Sequence, residues 1–197
     1  MATTRNSPLA DGAAKPIRSA AHLIWMDCEM TGLDPSRDVL LEIATIITDY
    51  DLRIVAKGPE LAIKTSAARL ARMDRWNQRT HTRSGLLDRI RDDGVTLADA
   101  EAQTLRFIRR HCVVRTAPLC GNSIGQDKRF LARHMPRVHA YLNYRVIDVS
   151  SIKLLVAEWY DGTRAPKAKQ SQHRALSDIS DSIAELTHYR KTVFVKR

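Results

Sequence analysis

Residues 23–27 read Leu-Ile-Trp-Met-Asp, and residues 31–35 read Thr-Gly-Leu-Asp-Pro. An apolar run closed by Gly and Asp-Pro predicts a buried strand followed by a turn. Residues 39–48 (Val-Leu-Leu-Glu-Ile-Ala-Thr-Ile-Ile-Thr) predict a second strand, with a turn at 49–51. Residues 52–64 predict a third, interrupted at Gly58-Pro59, because Pro cannot donate to a sheet ladder. Three strands joined by short turns make an antiparallel meander.

Beyond residue 65 the pattern changes period. Residues 66–91 predict helical pieces broken around Thr80–Thr82 and at Gly85. A helix is expected over 96–111, with Ala98, Ala102, Leu105, Ile108 and Cys112 on its apolar face and Thr96 and Asp99 capping its start. A short strand at 118–121, a helix at 124–134, a strand at 144–149 and a helix at 150–160 follow. Residues 161–172 form a polar loop with Arg164, Lys167 and Lys169. The last helix carries Leu176, Ile179, Ile183 and Leu186. Strands first, then alternating strands and helices, predict an α/β fold with a mixed sheet and helices on its faces.

At 197 residues, 44% apolar and 27% charged, the chain suits one domain with a sizeable core. No run reaches the length of a membrane span, so no membrane partner is expected. A net charge of +10, with a pI near 9.9, points to a polyanionic partner or simply a basic surface. Residues 128–145 hold Lys128, Arg129, Arg133, Arg137 and Arg145 and no acid. Residues 69–91 hold seven arginines against Asp74 and Asp88. Cys28, Cys112 and Cys120 are odd in number and lack CxxC spacing, which disfavours a disulfide framework or a zinc site and suits a reducing compartment. Residues 1–20 have no apolar signal core and read as a disordered tail. The cytoplasm is the expected location, with the mitochondrial matrix as the alternative.

Asp27 and Glu29 end the first strand two residues apart, so both carboxylates face the same way. An acid pair beside so apolar a strand calls for a neutralising metal or base, although spacing alone also fits a solvated turn. Asp127 by itself reads as an acid complementing a helix N-terminus. His173 precedes the last helix, and Asp178 lies within its first turns. Four carboxylates and a histidine are what two-metal phosphodiester hydrolysis requires: hard dications prefer carboxylate oxygen, and imidazole can deprotonate water near neutral pH.

The Asp-x-Glu pair, the central Asp and the His-x4-Asp ending resemble the DEDDh exonucleases, a family of ribonuclease H-like fold. WMDCEMTGLDP (25–35), MDRWNQRTHTRSGL (73–86), CGNSIGQDKRFL (120–131) and YRVIDVS (144–150) look like the oligoribonuclease branch, over roughly residues 22–190. The resemblance implies a mixed sheet of three antiparallel strands and then parallel strands, in one exonuclease domain over residues 21–197. It implies two divalent cations, Mg²⁺ or Mn²⁺, on Asp27, Glu29, Asp127 and Asp178, with His173 as general base. It implies 3′→5′ removal of nucleotides from very short RNA, down to dinucleotides, by a homodimer in which Tyr144 reaches the partner's site. Leu33 matches a wedge between the two bases and Trp76 an aromatic base contact. Ser123, Arg145, Ser150 and His81 match groups that enclose the 5′ phosphate.

Asp178 is chosen over Asp181 and Glu185 because it alone stands in the His-x4-Asp relation. Ser177 occupies a position where relatives often carry a second Asp. Glu42 reads as a structural or supporting acid. The alternatives are a DEDDh exonuclease trimming longer RNA or DNA ends, and a non-catalytic nucleic-acid-binding module on the same fold.

Overall fold

A computed structural model describes residues 18–160 and 174–195. The loop expected over 161–172 and His173 lie outside the described residues, as does nearly all of the 1–20 segment. The chain runs β1 (His22–Met30), β2 (Leu40–Asp49), β3 (Ile54–Ala62), α1 (Ala67–Leu70), α2 (Arg75–Arg83), α3 (Leu86–Asp92) and α4 (Leu97–His111). It continues β4 (Leu119–Gly121), α5 (Ile124–His134), α6 (Pro136–Tyr141), β5 (Val146–Asp148), α7 (Val149–Trp159) and α8 (Ala175–Thr192). The five strands form one mixed sheet in the order β3-β2-β1-β4-β5. The β3-β2-β1 meander is antiparallel, and β4 and β5 join β1 in parallel.

Alternation along β1 sorts the core into two layers. Ile24, Met26, Cys28 and Met30 face α4, α5 and α6, packing with Leu105, Ile108, Phe130, Leu131 and Val138. Leu23 and Trp25 face the other way, beneath α7 and α8, with Val156, Ile179, Ile183 and Tyr189. Each of these large buried side chains contributes roughly 1.5–3 kcal/mol of apolar burial. Trp25 also donates from Nε1 to Thr48 Oγ1 at 2.9 Å, which satisfies its one polar atom. Asp27 and Glu29 continue the odd-numbered face, so the strand that builds the core delivers both carboxylates to the α8 side.

Several elements differ from the sequence expectation. β3 passes through Gly58-Pro59 without ending: the pairing steps from Ala44↔Glu60 to Ile46↔Lys57, so two residues oppose Thr45 in a bulge. A Cβ on Gly58 would meet the Phe107 ring at 2.6 Å, so glycine is required where the bulge packs on α4. α2 runs unbroken through residues 80–82, and the break falls at Ser84-Gly85, where Gly85 adopts φ +74°. α6 is an addition to the expected elements. Pro136 ends α5 but also sits at N1 of the next helix, where its missing N–H costs nothing. On α4, Ala98 is exposed, and the buried face instead takes Ala100, Glu101, Thr104, Leu105 and Ile108. Small alanines define a stripe weakly. Buried Glu101 is explained by its partner, since its Oε1 accepts from Arg137 N at 2.7 Å at the start of α6. The Thr96 cap forms as expected, accepting from Asp99 N at 3.1 Å.

Candidate metal centre and substrate pocket

The C-terminal end of β1 meets the first turns of two helices from opposite layers. Asp27, Glu29 and Asp178 each offer a carboxylate oxygen within 4.8 Å of the others. Of the acids on α8, Asp178 alone enters this group. Glu185 is engaged elsewhere, accepting from Tyr189 OH at 3.0 Å and Asn122 Nδ2 at 3.1 Å and pairing with Lys153 at 3.4 Å. Asp127, in the first turn of α5, comes from the other side. Its Oδ1 accepts from Cys28 N at 2.9 Å, so it is pinned to the backbone between the two β1 acids.

The electrostatics show what such a cluster lacks. Burial, then repulsion from Asp127, Glu29 and Asp178, pushes the Asp27 carboxyl far above its usual range. Burial, then Asp178, Glu42 and Asp127, pushes Glu29 up to about 8. Burial raises Asp127 to about 7, against the lowering effect of its backbone hydrogen bonds. Oxygen-only donors, crowded and reluctant to ionise together, suit hard dications, whose charge reverses this penalty. Three thiols in a zinc-like set would compete, but Cys28, Cys112 and Cys120 are free thiols buried in the core.

The other candidates lie on segments that adjoin the elements carrying the carboxylates: Leu33 just beyond β1, Ser123 at the start of α5. Leu33 and Trp76 are 73% and 61% exposed, unusual for large apolar side chains, and both line one cavity with Met73 and Asn77. The Leu33 loop is held by Gln126, whose Nε2 donates to Leu33 O at 2.5 Å. Gly32 is needed in that loop: a Cβ there would sit 2.5 Å from the Asp38 carboxylate. Ser123 and Ser150 come together, with 3.2 Å between their hydroxyl oxygens. Asp148 Oδ1 orients them by accepting from the backbone N–H of both at 3.0 Å, and Ser150 Oγ donates to Asn122 Oδ1 at 3.0 Å. Arg145 and Tyr144 precede edge strand β5; the guanidinium lies 4.8 Å from the centre of the Tyr144 ring, and Tyr144 is 74% exposed.

His81 lies against the end of β1. It is 1% exposed, with Nε2 3.0 Å from Met30 O and Nδ1 3.8 Å from Glu29 Oε2. It shares α2 with Trp76, so one short helix carries both residues to the end of β1. Sequence reasoning misses Gln126, Asn122 and Asp148 as parts of the site. Their work is hydrogen bonding across 25 or more residues, which no local spacing reveals.

This fold, with acids from β1, α5 and α8 converging at one strand end, defines an exonuclease-type nuclease site. The chain belongs to the exonuclease family (RNase_T), which matches residues 24–186, and within it to the oligoribonucleases. It is 52% identical over 174 residues to the oligoribonuclease of Pseudomonas aeruginosa, covering 88% of this chain and 97% of that one. The oligoribonuclease of Alkalilimnicola ehrlichii is 51% identical over 172 residues, covering 87% and 89%. That of Yersinia pseudotuberculosis is 50% identical over 170 residues, covering 86% and 94%. Among solved structures, an E. coli exonuclease I–ssDNA complex superposes with a TM-score of 0.67 at 15% identity, over 87% of this chain and 40% of that one. Exonuclease I from Methylocaldum szegediense gives 0.65 at 20% identity, over 88% and 41%. The chain thus spans about two fifths of exonuclease I, and that likeness establishes the ribonuclease H-like fold. The chain is an enzyme, a nuclease that hydrolyses phosphodiester bonds.

Proposed function

We propose that this chain is a 3′→5′ exoribonuclease that degrades very short oligoribonucleotides, down to dinucleotides, to 5′-mononucleotides. The observation that carries the reading is the convergence of Asp27, Glu29 and Asp178, with Asp127 against the same strand, beside the exposed Leu33 and Trp76. Asp27, Glu29, Asp127 and Asp178 would hold two divalent cations, Mg²⁺ or Mn²⁺. Such ions stabilise charge on the attacking and leaving oxygens of the phosphodiester.

The chain's own residues do the rest. His173, directly before Arg174, takes a proton from the attacking water and so makes the nucleophile available near neutral pH. Leu33 separates the two bases and Trp76 packs on one of them, with stacking worth ~1–3 kcal/mol per base. Ser123, Ser150 and Arg145 enclose the 5′ phosphate, and the Arg fork suits its oxygens. A longer strand would thread another nucleotide where these donors sit, leaving them unpaired, which gives short substrates their advantage.

The same reading takes the chain as a homodimer in which Tyr144 acts in the partner's site. Tyr144 lies beside β5, an edge strand, and α7 presents Leu154, Leu155 and Trp159 to solvent. An open edge next to an exposed apolar face is suited to burial against a second copy. Among the described residues no helix is long and apolar enough to cross a membrane, and the bacterial relatives fit action in the cytoplasm. Purified chain with Mn²⁺ and a 5′-labelled diribonucleotide should release labelled mononucleotide. Hydrolysis no faster than that of His173→Ala contradicts the proposal.

A further inference from the structure

Glu42 is fully buried, and in the β1–β2 register it stands directly opposite Glu29. A buried carboxylate beside three other acids is costly unless its oxygens are met. Both are met, by elements far apart in sequence. One oxygen pairs with the Arg89 guanidinium from α3, and the other accepts from Ala175 N, the first residue of α8, at 3.1 Å. Arg89 continues to Glu60 on β3 at 3.4 Å, and Glu60 accepts from Arg174 Nη2 at 3.1 Å. Arg174 O in turn accepts from Asp178 N at 3.0 Å. Ion pairs among Arg89, Glu42, Glu60 and Arg174, continued by backbone hydrogen bonds at Ala175 and Asp178, therefore run from α3, through β2 and β3, into the turn of α8 that carries Asp178.

We infer that Glu42, Arg89 and Glu60 are positioning residues that set the first turn of α8, and with it Asp178, against Asp27 and Glu29. The inference rests on the reading of Asp178 as a metal ligand. α8 begins without a side-chain cap of its own, so Glu42 supplies the acceptor that its first N–H needs. The carboxylate also complements the positive end of the helix. α3 packs with α2, which carries Trp76 and His81, so the same linkage joins the base-binding helix to the metal-binding helix. Removing the Arg89 charge leaves Glu42 buried without its ion-pair partner. The α8 start then loses its fixed acceptor, and Asp178 shifts relative to the β1 acids.

The test uses the full chain and two readouts besides turnover: Mn²⁺ affinity by calorimetry, and hydrogen exchange of the α8 first-turn amides. Arg89→Gln should weaken Mn²⁺ binding by on the order of ten- to hundredfold, the range for groups that orient metal ligands. It should also speed exchange at residues 175–178 and lower kcat with little change in KM. Arg89→Lys should recover part of each effect. Glu60, whose carboxylate pairs with Arg89 and Arg174 among the described residues, gives the second variant, Glu60→Gln, if Arg89→Gln fails to fold; it should move all three readouts the same way by less. Folded variants with wild-type Mn²⁺ affinity and wild-type exchange at 175–178 overturn the inference. The functional reading falls separately, if wild type cleaves no diribonucleotide.

Discussion

The two halves of the site are built from opposite materials. The carboxylate half is buried and over-determined: Asp127 is pinned by Cys28 N, Glu29 is backed by His81, and α8 is held by Glu42. The substrate half is exposed and lightly held, with Leu33, Trp76 and Tyr144 standing out from the surface. Chemistry needs atoms fixed to a fraction of an ångström, whereas base contacts need only a face to stack on. Substitutions should therefore abolish turnover together with metal binding in the first half; in the second they should leave the metal in place, grading affinity or length preference at Leu33 and Trp76 and cutting turnover at Tyr144, which acts across the interface.

The contrast faces its hardest challenge in Asp178→Asn. This variant should bring hydrolysis to background in a folded protein and cut Mn²⁺ affinity; retained turnover, measured by mononucleotide release, would remove Asp178 from the centre. Tyr144→Ala comes next. It should greatly reduce turnover while leaving Mn²⁺ binding in place, and sedimentation alongside the assay separates a lost dimer from a lost contact. Full activity in a monomeric variant would contradict action across the interface. Trp76→Ala should weaken diribonucleotide binding by ~1–3 kcal/mol with a smaller effect on kcat, read from the split between KM and kcat.

The smallest effect concerns the carboxylate half and is read through pH. Glu29 and Asp127 are raised to about 8 and about 7 in the folded protein. The metal-free fold thus holds more protons than the unfolded chain between their ordinary range and those values. Its stability should fall as pH rises through that window, the reverse of a salt-bridged acid. Added Mn²⁺ should flatten the slope, and its affinity should rise with pH over the same interval. Thermal melts with and without metal from pH 5 to 9 test both signs.

The buried strands and the long helices are legible in the sequence because β1 and β2 are near-continuous apolar runs bounded by turn residues, while α4 and α8 space apolar residues three and four apart. What escapes has weak or ambiguous local signals. Pro136 stops one helix and starts another, Thr80–Thr82 neither favours nor forbids a helix, and two alanines suggest a face of α4 that is only partly buried. In the site, Asp27 and Glu29 show their shared direction through strand alternation. Asp127 alone reads as a helix N-terminal acid, and it and Asp178 gain meaning only when set beside the β1 pair and His173, a grouping that the family resemblance then sharpens. The Glu42–Arg89–Glu60 linkage is invisible in the sequence, because its partners sit on three separate elements that only the folded sheet brings together.

On this reading the buried carboxylate centre serves a pocket sized for the last few nucleotides of RNA. Initial rates of the purified chain with Mn²⁺ on 5′-labelled RNAs of two, five and about twenty nucleotides bear on it without intermediaries, because added length is what unpairs the phosphate-enclosing donors. Turnover should be fastest on the dinucleotide and fall as length grows. Equal rates at all lengths would contradict the short-substrate reading.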